Sequence, residues 1–461
     1  MVVVSDGAHG GQRAGTRYAP FTGTRGVEAP LTWSQQEVWA LIERAMPHEY
    51  VYNVVGGFRT PADLPLTVER CLEALSFFLE RHESLRTVFP RDGSGRVVQR
   101  VLSEGRLPVE VVGTTPSDAE RTAAAHRTSL GARRFSFADE LPLALVLLVV
   151  DGRVWGGVYA FSHMAVDWYG IQHLAGEVTA YLRDGREPPP LPGDAMTPAA
   201  LAAWQASPEG MARRERTLRH VESLYRDRPP LGLPPRVPGA PTEAVYRQAR
   251  LRSRAAHRAV GRVAARTGVS TGAVVNGAVA LLLRDLTGSG RVDLHLTSSQ
   301  RFGPEARRMV ATLMQETYFS VDVTDADLPE AVRRSWRAAL TAYQNSGCDA
   351  DGMAALLARL GGGPDEPLRF PYCVNDRRGL PSFPAAGAKA DATPAASLLP
   401  DSALDWPAVT EEEDFYVVVD GDDDLLAFSL TCDTRHFTEA VMERFLRDLE
   451  GSLVRLADTP A

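Results

Sequence analysis

Two apolar runs separated by a tight turn constrain the fold of this chain more than any other feature. The first run, residues 143–150, reads Leu-Ala-Leu-Val-Leu-Leu-Val-Val, and the second covers residues 154–161. Continuous apolar runs of this length are typical of buried strands. Asp151-Gly152 stands between them, and this dipeptide favours a two-residue hairpin turn because both positions tolerate a positive φ. The sequence therefore predicts a buried β-hairpin.

The second strand leads into a histidine and an aspartate four residues apart. These are His163 and Asp167, and an amphipathic helix is predicted to follow Gly170. A histidine at the end of a buried strand reaches a cleft with its ring fixed, which suits the proton handling of acyl transfer. The alternative for His163 is a strand-end histidine that bonds to the backbone. The HxxxD spacing alone occurs by chance in many proteins.

Two upstream motifs give this pair a context. Residues 30–39 read Pro-Leu-Thr-Trp-Ser-Gln-Gln-Glu-Val-Trp, and residues 81–89 read Arg-His-Glu-Ser-Leu-Arg-Thr-Val-Phe. With the HxxxD run, their order and approximate spacing resemble the signatures of condensation domains of nonribosomal peptide synthetases. These domains are part of the superfamily of HxxxD CoA-dependent acyltransferases. The resemblance extends from about residue 27 to the end, and residues 310–323 resemble a further signature, with Gln315 at its usual asparagine.

The resemblance implies a fold and an organisation of domains. The expected class is α+β, with two chloramphenicol-acetyltransferase-like lobes in a V-shaped pseudo-dimer and the active site between them. Residues 206–240 are charged and then proline-rich, which is typical of a linker. The predicted parts are a flexible N-terminal tail (1–26), a first lobe with the HxxxD motif (27–205), the linker (206–240) and a second lobe (241–461).

The resemblance also implies roles for residues around the motif. His163 is expected to be catalytic, because it accepts or positions the proton of an attacking amine or hydroxyl. Asp167 is expected to support the site by pairing with Arg86, a planar fork suited to a carboxylate. Asp167 is alternatively a cap of the helix that begins near Trp168, and both roles are compatible.

The HxxxD run departs from the family pattern at two positions. Ser162 replaces the first of two histidines and still donates and accepts hydrogen bonds, so it is expected to support the site. Trp168 replaces a glycine. Its indole either narrows the substrate channel beside His163 or packs under the following helix. Gln315 is also assigned to the substrate channel.

Other histidines are interpreted as structural. Arg81, His82 and Glu83 are expected to serve the structure of the first lobe, with His82 at the end of a helix. His295 lies in a predicted strand and has no obvious catalytic partner beside it in the sequence.

Composition excludes several classes of function. A net charge of −8 argues against a nucleic-acid or anionic-membrane partner, and no run approaches the length of a membrane span. The chain starts without a signal peptide, and its cysteines form no CxxC, so a cytoplasmic protein without a zinc site is expected. No HExxH, P-loop or GxSxG motif supports proteolysis by zinc, nucleotide hydrolysis or serine hydrolysis. The cysteines are Cys71, Cys348, Cys373 and Cys432.

The expected function is that of a free-standing condensation enzyme of nonribosomal peptide or hybrid natural-product biosynthesis. It would transfer an acyl or aminoacyl group from a carrier-protein thioester to an amine or hydroxyl, without a metal or a bound cofactor. Phosphopantetheine would enter as part of the substrate. No carrier-protein motif and no adenylation signature is found, so peptidyl or acyl carrier proteins are expected to act in trans on a monomer.

Two alternatives to this function stay open. One is an acyl-CoA-dependent O- or N-acyltransferase, which a basic patch for the CoA phosphates would favour. The other is a non-catalytic, condensation-like docking module, which the changes at Ser162 and Trp168 keep open.

Overall fold

The structure of the protein is a computed structural model. It describes residues 15–459 except 24, 186, 188–195, 362, 364, 366, 379–392, 410, 411 and 423. The strands are β1 (Gly15–Thr22), β2 (Val27–Pro30), β3 (Asn53–Arg59), β4 (Thr87–Val88), β5 (Val98–Val101), β6 (Glu104–Gly113), β7 (Leu143–Val150), β8 (Arg153–Ser162), β9 (Tyr246–Ser253), β10 (Arg291–Ser299), β11 (Met314–Asp322), β12 (Tyr372–Asp376), β13 (Ala403–Asp405), β14 (Phe415–Gly421) and β15 (Leu426–Asp433). The α-helices are α1 (Trp33–Ala45), α2 (Val68–Arg81), α3 (Ala119–Gly131), α4 (Trp168–Asp184), α5 (Pro198–Gln205), α6 (Pro208–Tyr225), α7 (Arg254–Thr267), α8 (Thr271–Thr287), α9 (Pro304–Arg307), α10 (Leu328–Gln344), α11 (Ala350–Leu360) and α12 (Glu439–Asp458).

The chain forms two compact units that are not continuous in sequence. Unit 1 comprises Met1–Gly210 and Arg301–Leu313, and unit 2 comprises Met211–Gln300 and Met314–Ala461. Both units combine sheets with helices, which confirms the α+β class. Residues 301–313 belong to unit 1, whereas the predicted second lobe (241–461) included them.

Unit 1 is built on a five-stranded sheet with the order β1-β6-β7-β8-β3. A three-stranded sheet, β2-β5-β4, accompanies it. One face of the larger sheet packs on apolar residues of α2 and α4, and the other face packs on α3. Because both faces are covered, β7 needs apolar residues at successive positions, and Leu147 and Leu148 are fully buried.

The predicted hairpin is confirmed as the middle of this sheet. β7 and β8 pair antiparallel, with Leu143 opposite Phe161. Asp151 and Gly152 both have positive φ, 49° and 78°, as a two-residue hairpin turn requires. Asp151 is the only non-glycine residue with positive φ in the described part of the chain.

Unit 2 is built on a seven-stranded sheet with the order β11-β10-β12-β14-β15-β9-β13. One face packs on α7, α8, α10 and α12 and forms the larger core. The other face carries polar residues and a smaller apolar cluster with Val221, Tyr225 and Leu356 from α6 and α11.

No single helix among the described residues has the length and apolar character to cross a membrane. One pair of helices, α7 and α8, meets those criteria only when both are taken together, and the two are bent by 106°. Their apolar side chains lie in the core of unit 2.

Two predicted irregular segments contain regular structure. The flexible tail was predicted for residues 1–26, but Gly15–Thr22 pairs along its whole length with β6. Residues 1–14 lie outside the described part. The predicted linker, residues 206–240, contains α6, where Val221 and Tyr225 are each 1% exposed. The helix was not predicted because its apolar residues are interrupted by arginines every few positions.

Candidate active site

The turn that carries His163 is held at both of its ends. Ser162 is 2% exposed, and its hydroxyl accepts a hydrogen bond from the Met164 amide at 3.3 Å. The hydroxyl of Thr312 donates to the backbone carbonyl of His163. The side chain of His163 is only partly buried. The backbone of His163 is therefore fixed by hydrogen bonds, and its imidazole is partly buried, with Nδ1 inaccessible to solvent.

Asp167 is the electrostatic centre of the loop that follows. Its side chain is 5% exposed, and Arg301, at 0%, binds it with two bonds of 2.6 and 2.8 Å. The Leu313 amide donates to the same carboxylate at 2.9 Å. A buried carboxylate needs such compensation, because removal from water disfavours its charge. The guanidinium of Arg301, which binds both carboxylate oxygens, and the Leu313 amide supply this compensation.

Asp167 is also the N-cap of α4. Its carboxylate accepts the Gly170 amide at 2.7 Å, so the predicted capping role is confirmed. The close approach of residues 301–313 depends on Gly170. A Cβ at this position would lie 3.0 Å from the Ala311 carbonyl oxygen and 3.3 Å from the Asp167 carboxylate.

The predicted pair between Asp167 and Arg86 is wrong. Arg86 is 1% exposed and donates to the backbone carbonyls of Arg25 and Leu102. Its nearest carboxylate is that of Glu83, at 3.8 Å. Burial lowers the pKa of Arg86. Arg86 therefore supports the fold of unit 1 by joining chain segments, and it does not neutralise Asp167.

Arg301 is the partner that the sequence analysis missed. Besides Asp167, it donates to the Ala311 carbonyl at 2.9 Å and lies over the Tyr169 ring, 4.5 Å from its centroid. Arg301 follows β10 and is 134 residues from Asp167. The only available signal was its place shortly before the segment 310–323 that resembles a family signature.

The segment 301–313 is bound to unit 1 at further points. Val310 is 3% exposed in the same core cluster as Val166, and its carbonyl accepts the Ser84 hydroxyl at 2.5 Å. Ser84 lies in the 81–89 motif, so this motif and the HxxxD loop both hold the same segment. The 81–89 motif and the HxxxD loop are thus connected by the segment 301–313, which lies between β10 and β11 in the sequence.

Arg81 and His82 have the structural role that was predicted for them. Arg81 binds Glu177 of α4 at 2.9 Å, and His82 contacts the other oxygen of Glu177 at 2.8 Å. Burial acts to raise the pKa of Glu177, but the hydrogen bonds from His82 and Arg81 outweigh it and lower this pKa to about 2. Burial lowers the pKa of His82.

The two residues assigned to the substrate channel differ in exposure. Trp168 is 41% exposed, so much of its indole is accessible to solvent. Its channel role stays a prediction. Gln315 is 4% exposed, and its amide donates to the Cys348 carbonyl at 2.8 Å. This bond gives Gln315 a structural role in unit 2, and its channel role also stays a prediction.

Among the described residues, no three His, Cys, Asp or Glu side chains come together as a possible metal site. The site in unit 1 thus consists of a histidine on a fixed turn, supported by a buried ion pair. The family model described as Condensation domain matches residues 27–461, so the chain belongs to the condensation domain family.

Similar proteins are much longer synthetases. Phosphinothricin tripeptide synthetase PhsC of Streptomyces viridochromogenes is 28% identical over 322 residues, which are 66% of this chain and 29% of the relative. Isonitrile lipopeptide synthase of Mycobacterium tuberculosis is 26% identical over 359 residues, which are 71% of this chain and 14% of the relative. The chain therefore spans less than a third of the length of these relatives.

A solved structure supports the fold. That structure concerns condensation domain-mediated chain release from the enacyloxin polyketide synthase. Its TM-score is 0.73 and its identity 21%, over 94% of this chain and 84% of that chain. The chain is thus a condensation domain by its family match and has the fold of a solved structure of that kind.

Proposed function

We propose that this condensation domain is catalytically active and transfers an acyl or aminoacyl group from a carrier-protein thioester to an amine or hydroxyl acceptor. His163 is the catalytic residue. The observation that carries the proposal is the fixed turn around His163, with hydrogen bonds from Met164 to Ser162 and from Thr312 to the His163 carbonyl. A base must be held within hydrogen-bond reach of the proton that it accepts, and a fixed backbone serves this purpose.

The proposed step is direct attack on the thioester. The acceptor nitrogen or oxygen forms a bond to the acyl carbon, and the bond from that carbon to the pantetheine sulfur breaks. His163 accepts, or positions, the proton that the nucleophile loses, and the leaving thiolate takes up a proton. The products are an amide or ester and a free thiol, so no external oxidant or reductant is needed.

Asp167 and Arg301 contribute to this step by holding the backbone around His163 in place. Asp167 lies one turn after His163, caps α4 and accepts the Leu313 amide. Thr312, the neighbour of Leu313, binds the His163 carbonyl. The ion pair therefore positions both sides of the catalytic turn, and neither of its members is proposed to move the substrate proton.

Ser162 is compatible with a catalytic role of the neighbouring His163. It stands where the family has its first histidine, and its hydroxyl closes the turn in unit 1. The substitution therefore retains a hydrogen-bonding group that organises the loop.

The experiment is turnover by purified His163→Ala with separately supplied acyl-loaded carrier protein and acceptor. We expect loss of most turnover and an unchanged melting curve, because the Thr312 bond goes to the backbone and survives the change. His126→Ala on α3 is the matched control and should keep full activity. Equal rates of the His163 variant and the parent would refute the catalytic role and favour the docking module.

The same assay tests the donor. Parallel reactions with acyl-CoA in place of the acylated carrier protein separate the two donor classes. Turnover with a separately added carrier protein supports carriers in trans. Turnover with acyl-CoA alone would replace that part of the proposal with the acyl-CoA-dependent reaction.

A further inference from the structure

One face of the Arg301 guanidinium is covered by an aromatic ring. The ring belongs to Tyr169, and its centroid lies 4.5 Å from the Cζ atom of Arg301. The bonds of Arg301 to Asp167, at 2.6 and 2.8 Å, and to the Ala311 carbonyl, at 2.9 Å, leave from the edge of the planar group. Tyr169 therefore contacts Arg301 from a direction that these hydrogen bonds do not use.

The position of Arg301 gives this contact its importance. Asp167 caps α4 and Tyr169 lies in the first turn of α4, so the cation is held at the N-terminus of a helix. The amides at a helix N-terminus carry partial positive charge, which disfavours a cation there. The side chain of Arg301 is 0% exposed, so water does not reduce this cost. The face of a tyrosine ring is negative and attracts a desolvated cation, and Tyr169 therefore offsets part of the cost.

Arg301 holds the chain on both sides of Thr312. Its guanidinium donates to the Ala311 carbonyl, and the carboxylate that it binds accepts the Leu313 amide. Thr312 lies between these two residues, is 1% exposed, and donates its hydroxyl to the His163 carbonyl. A shift of the Arg301 guanidinium would therefore move both neighbours of Thr312, and with them the hydroxyl that holds the His163 backbone.

We propose that Tyr169 is a positioning residue of the transfer reaction. Its ring fixes the Arg301 guanidinium and, through Asp167 and Thr312, the turn that carries His163. The face of the ring is the group that acts, and a phenylalanine in the same place would present a similar face. The kinetic part of this role rests on the proposed function of His163, whereas the contact between Tyr169 and Arg301 is tested without any turnover.

Chemical denaturation of the parent, Tyr169→Leu, Arg301→Gln and the double variant tests the contact. Leucine keeps an apolar cover without an aromatic face, so the coupling reports the attraction between ring and cation. We expect a coupling of about tenfold in the unfolding equilibrium constant, which corresponds to about 1.4 kcal/mol. Equal losses from Tyr169→Leu with and without Arg301 would overturn the proposal, because the ring would then act only by packing.

Tyr18→Leu is the matched control for this cycle. Tyr18 also contacts an arginine, Arg106, at 4.3 Å from its ring centroid, but it is 46% exposed. Its effect should add to that of Arg301→Gln. Where Arg301→Gln does not fold, Tyr169→Phe is compared with Tyr169→Leu instead. We expect the phenylalanine variant to be the more stable, and equal stability of the two would overturn the proposal.

Turnover with an acyl-loaded carrier protein and an acceptor tests the positioning role. Tyr169→Leu should lower kcat by about tenfold and leave KM for the donor unchanged, because it disturbs the turn and not the groups that bind substrate. Tyr169→Phe should restore the kcat of the parent. Equal kcat of Tyr169→Leu and the parent would overturn the role. Full turnover by His163→Ala would refute the proposed function alone, because the denaturation cycle does not depend on it.

Discussion

Trp168 is one of the large apolar residues that are exposed in the described part of the chain. It follows the buried Asp167 directly, yet 41% of it is exposed. An indole stabilises a fold mainly through the apolar area that it buries, so an indole in contact with water contributes less to packing. We therefore predict that Trp168 restricts the substrate that reaches His163, as a flat apolar wall with one N–H donor.

Trp168→Gly should admit bulkier acceptors and weaken the native one. Relative kcat/KM over a size series of acceptors measures this effect, and a melting curve accompanies it. Because the residue is partly exposed, the loss of stability should stay below the roughly 3–5 kcal/mol of a buried tryptophan. A large fall in Tm with an unchanged specificity ratio would show that the indole serves packing after all.

The ion pair of Asp167 and Arg301 joins two elements, the N-terminus of α4 and the segment 301–313. Removing one member leaves the other buried without compensation, at a cost of about 3–5 kcal/mol. We predict that Asp167→Asn and Arg301→Gln each destabilise unit 1 by this order, and that the double variant is little worse than either. Chemical denaturation of the four proteins gives the coupling energy.

Arg86 provides the control for this cycle. It is buried in the same unit but binds the carbonyls of Arg25 and Leu102. Arg86→Ala should therefore destabilise unit 1, and its effect should add to that of Asp167→Asn within about 0.5 kcal/mol. Strong coupling of Arg86 with Asp167, or simple additivity of Arg301 with Asp167, would contradict the pairing in the structure.

Elements whose signals are local could be predicted from the sequence. Thr32 caps α1 with a capping box, Thr438 caps α12, and Gly268 ends α7 with a φ of 68°. Each signal lies within four residues of the helix end that it sets. The hairpin at Asp151-Gly152 belongs to the same group, because the turn and its two strands are adjacent in sequence.

Elements that depend on distant partners were not predictable in this way. The strand Gly15–Thr22 has no strong pattern of its own and exists because β6 pairs with it about 90 residues later. The site shows the same division. The motif indicated His163 and Asp167 as candidate residues, but it gave no indication of Arg301, the partner of Asp167, because spacing carries no information about contacts across more than a hundred residues. The family resemblance supplied Arg86 instead, and that choice was wrong.

At the scale of the whole molecule, the two units do not follow the order of the chain. Residues 301–313 leave the sheet of unit 2 after β10 and belong to unit 1 before β11 begins. The core of unit 1 is therefore complete only after β9 and β10 of unit 2 have been synthesised. A cut of the sequence at residue 210 would remove Arg301, Thr312 and Val310 from the site that they support.

The acid stability of the molecule should depend on Glu177. Arg81 and His82 hold its pKa at about 2, against an ordinary value of 4.5. A carboxyl whose pKa is lowered by folding contributes stability that is complete above its ordinary pKa and is lost as the pH falls toward the folded pKa. The window for Glu177 is therefore from pH 4.5 down to about 2.

We predict that Glu177→Gln lowers the free energy of unfolding near neutral pH by up to about 3 kcal/mol, the value of this shift in pKa. The difference between parent and variant should shrink steadily through the window, because the parent protonates Glu177 there and loses the same interactions. Denaturation of both proteins at a series of pH values measures that difference.

Glu120→Gln is the control for this prediction. Glu120 also pairs with an arginine, Arg59, but both side chains are more than half exposed. Exposed pairs contribute little, so this variant should follow the parent at every pH. A constant gap between Glu177→Gln and the parent from neutral pH to the acid end would show that Glu177 acts through packing and not through its charge.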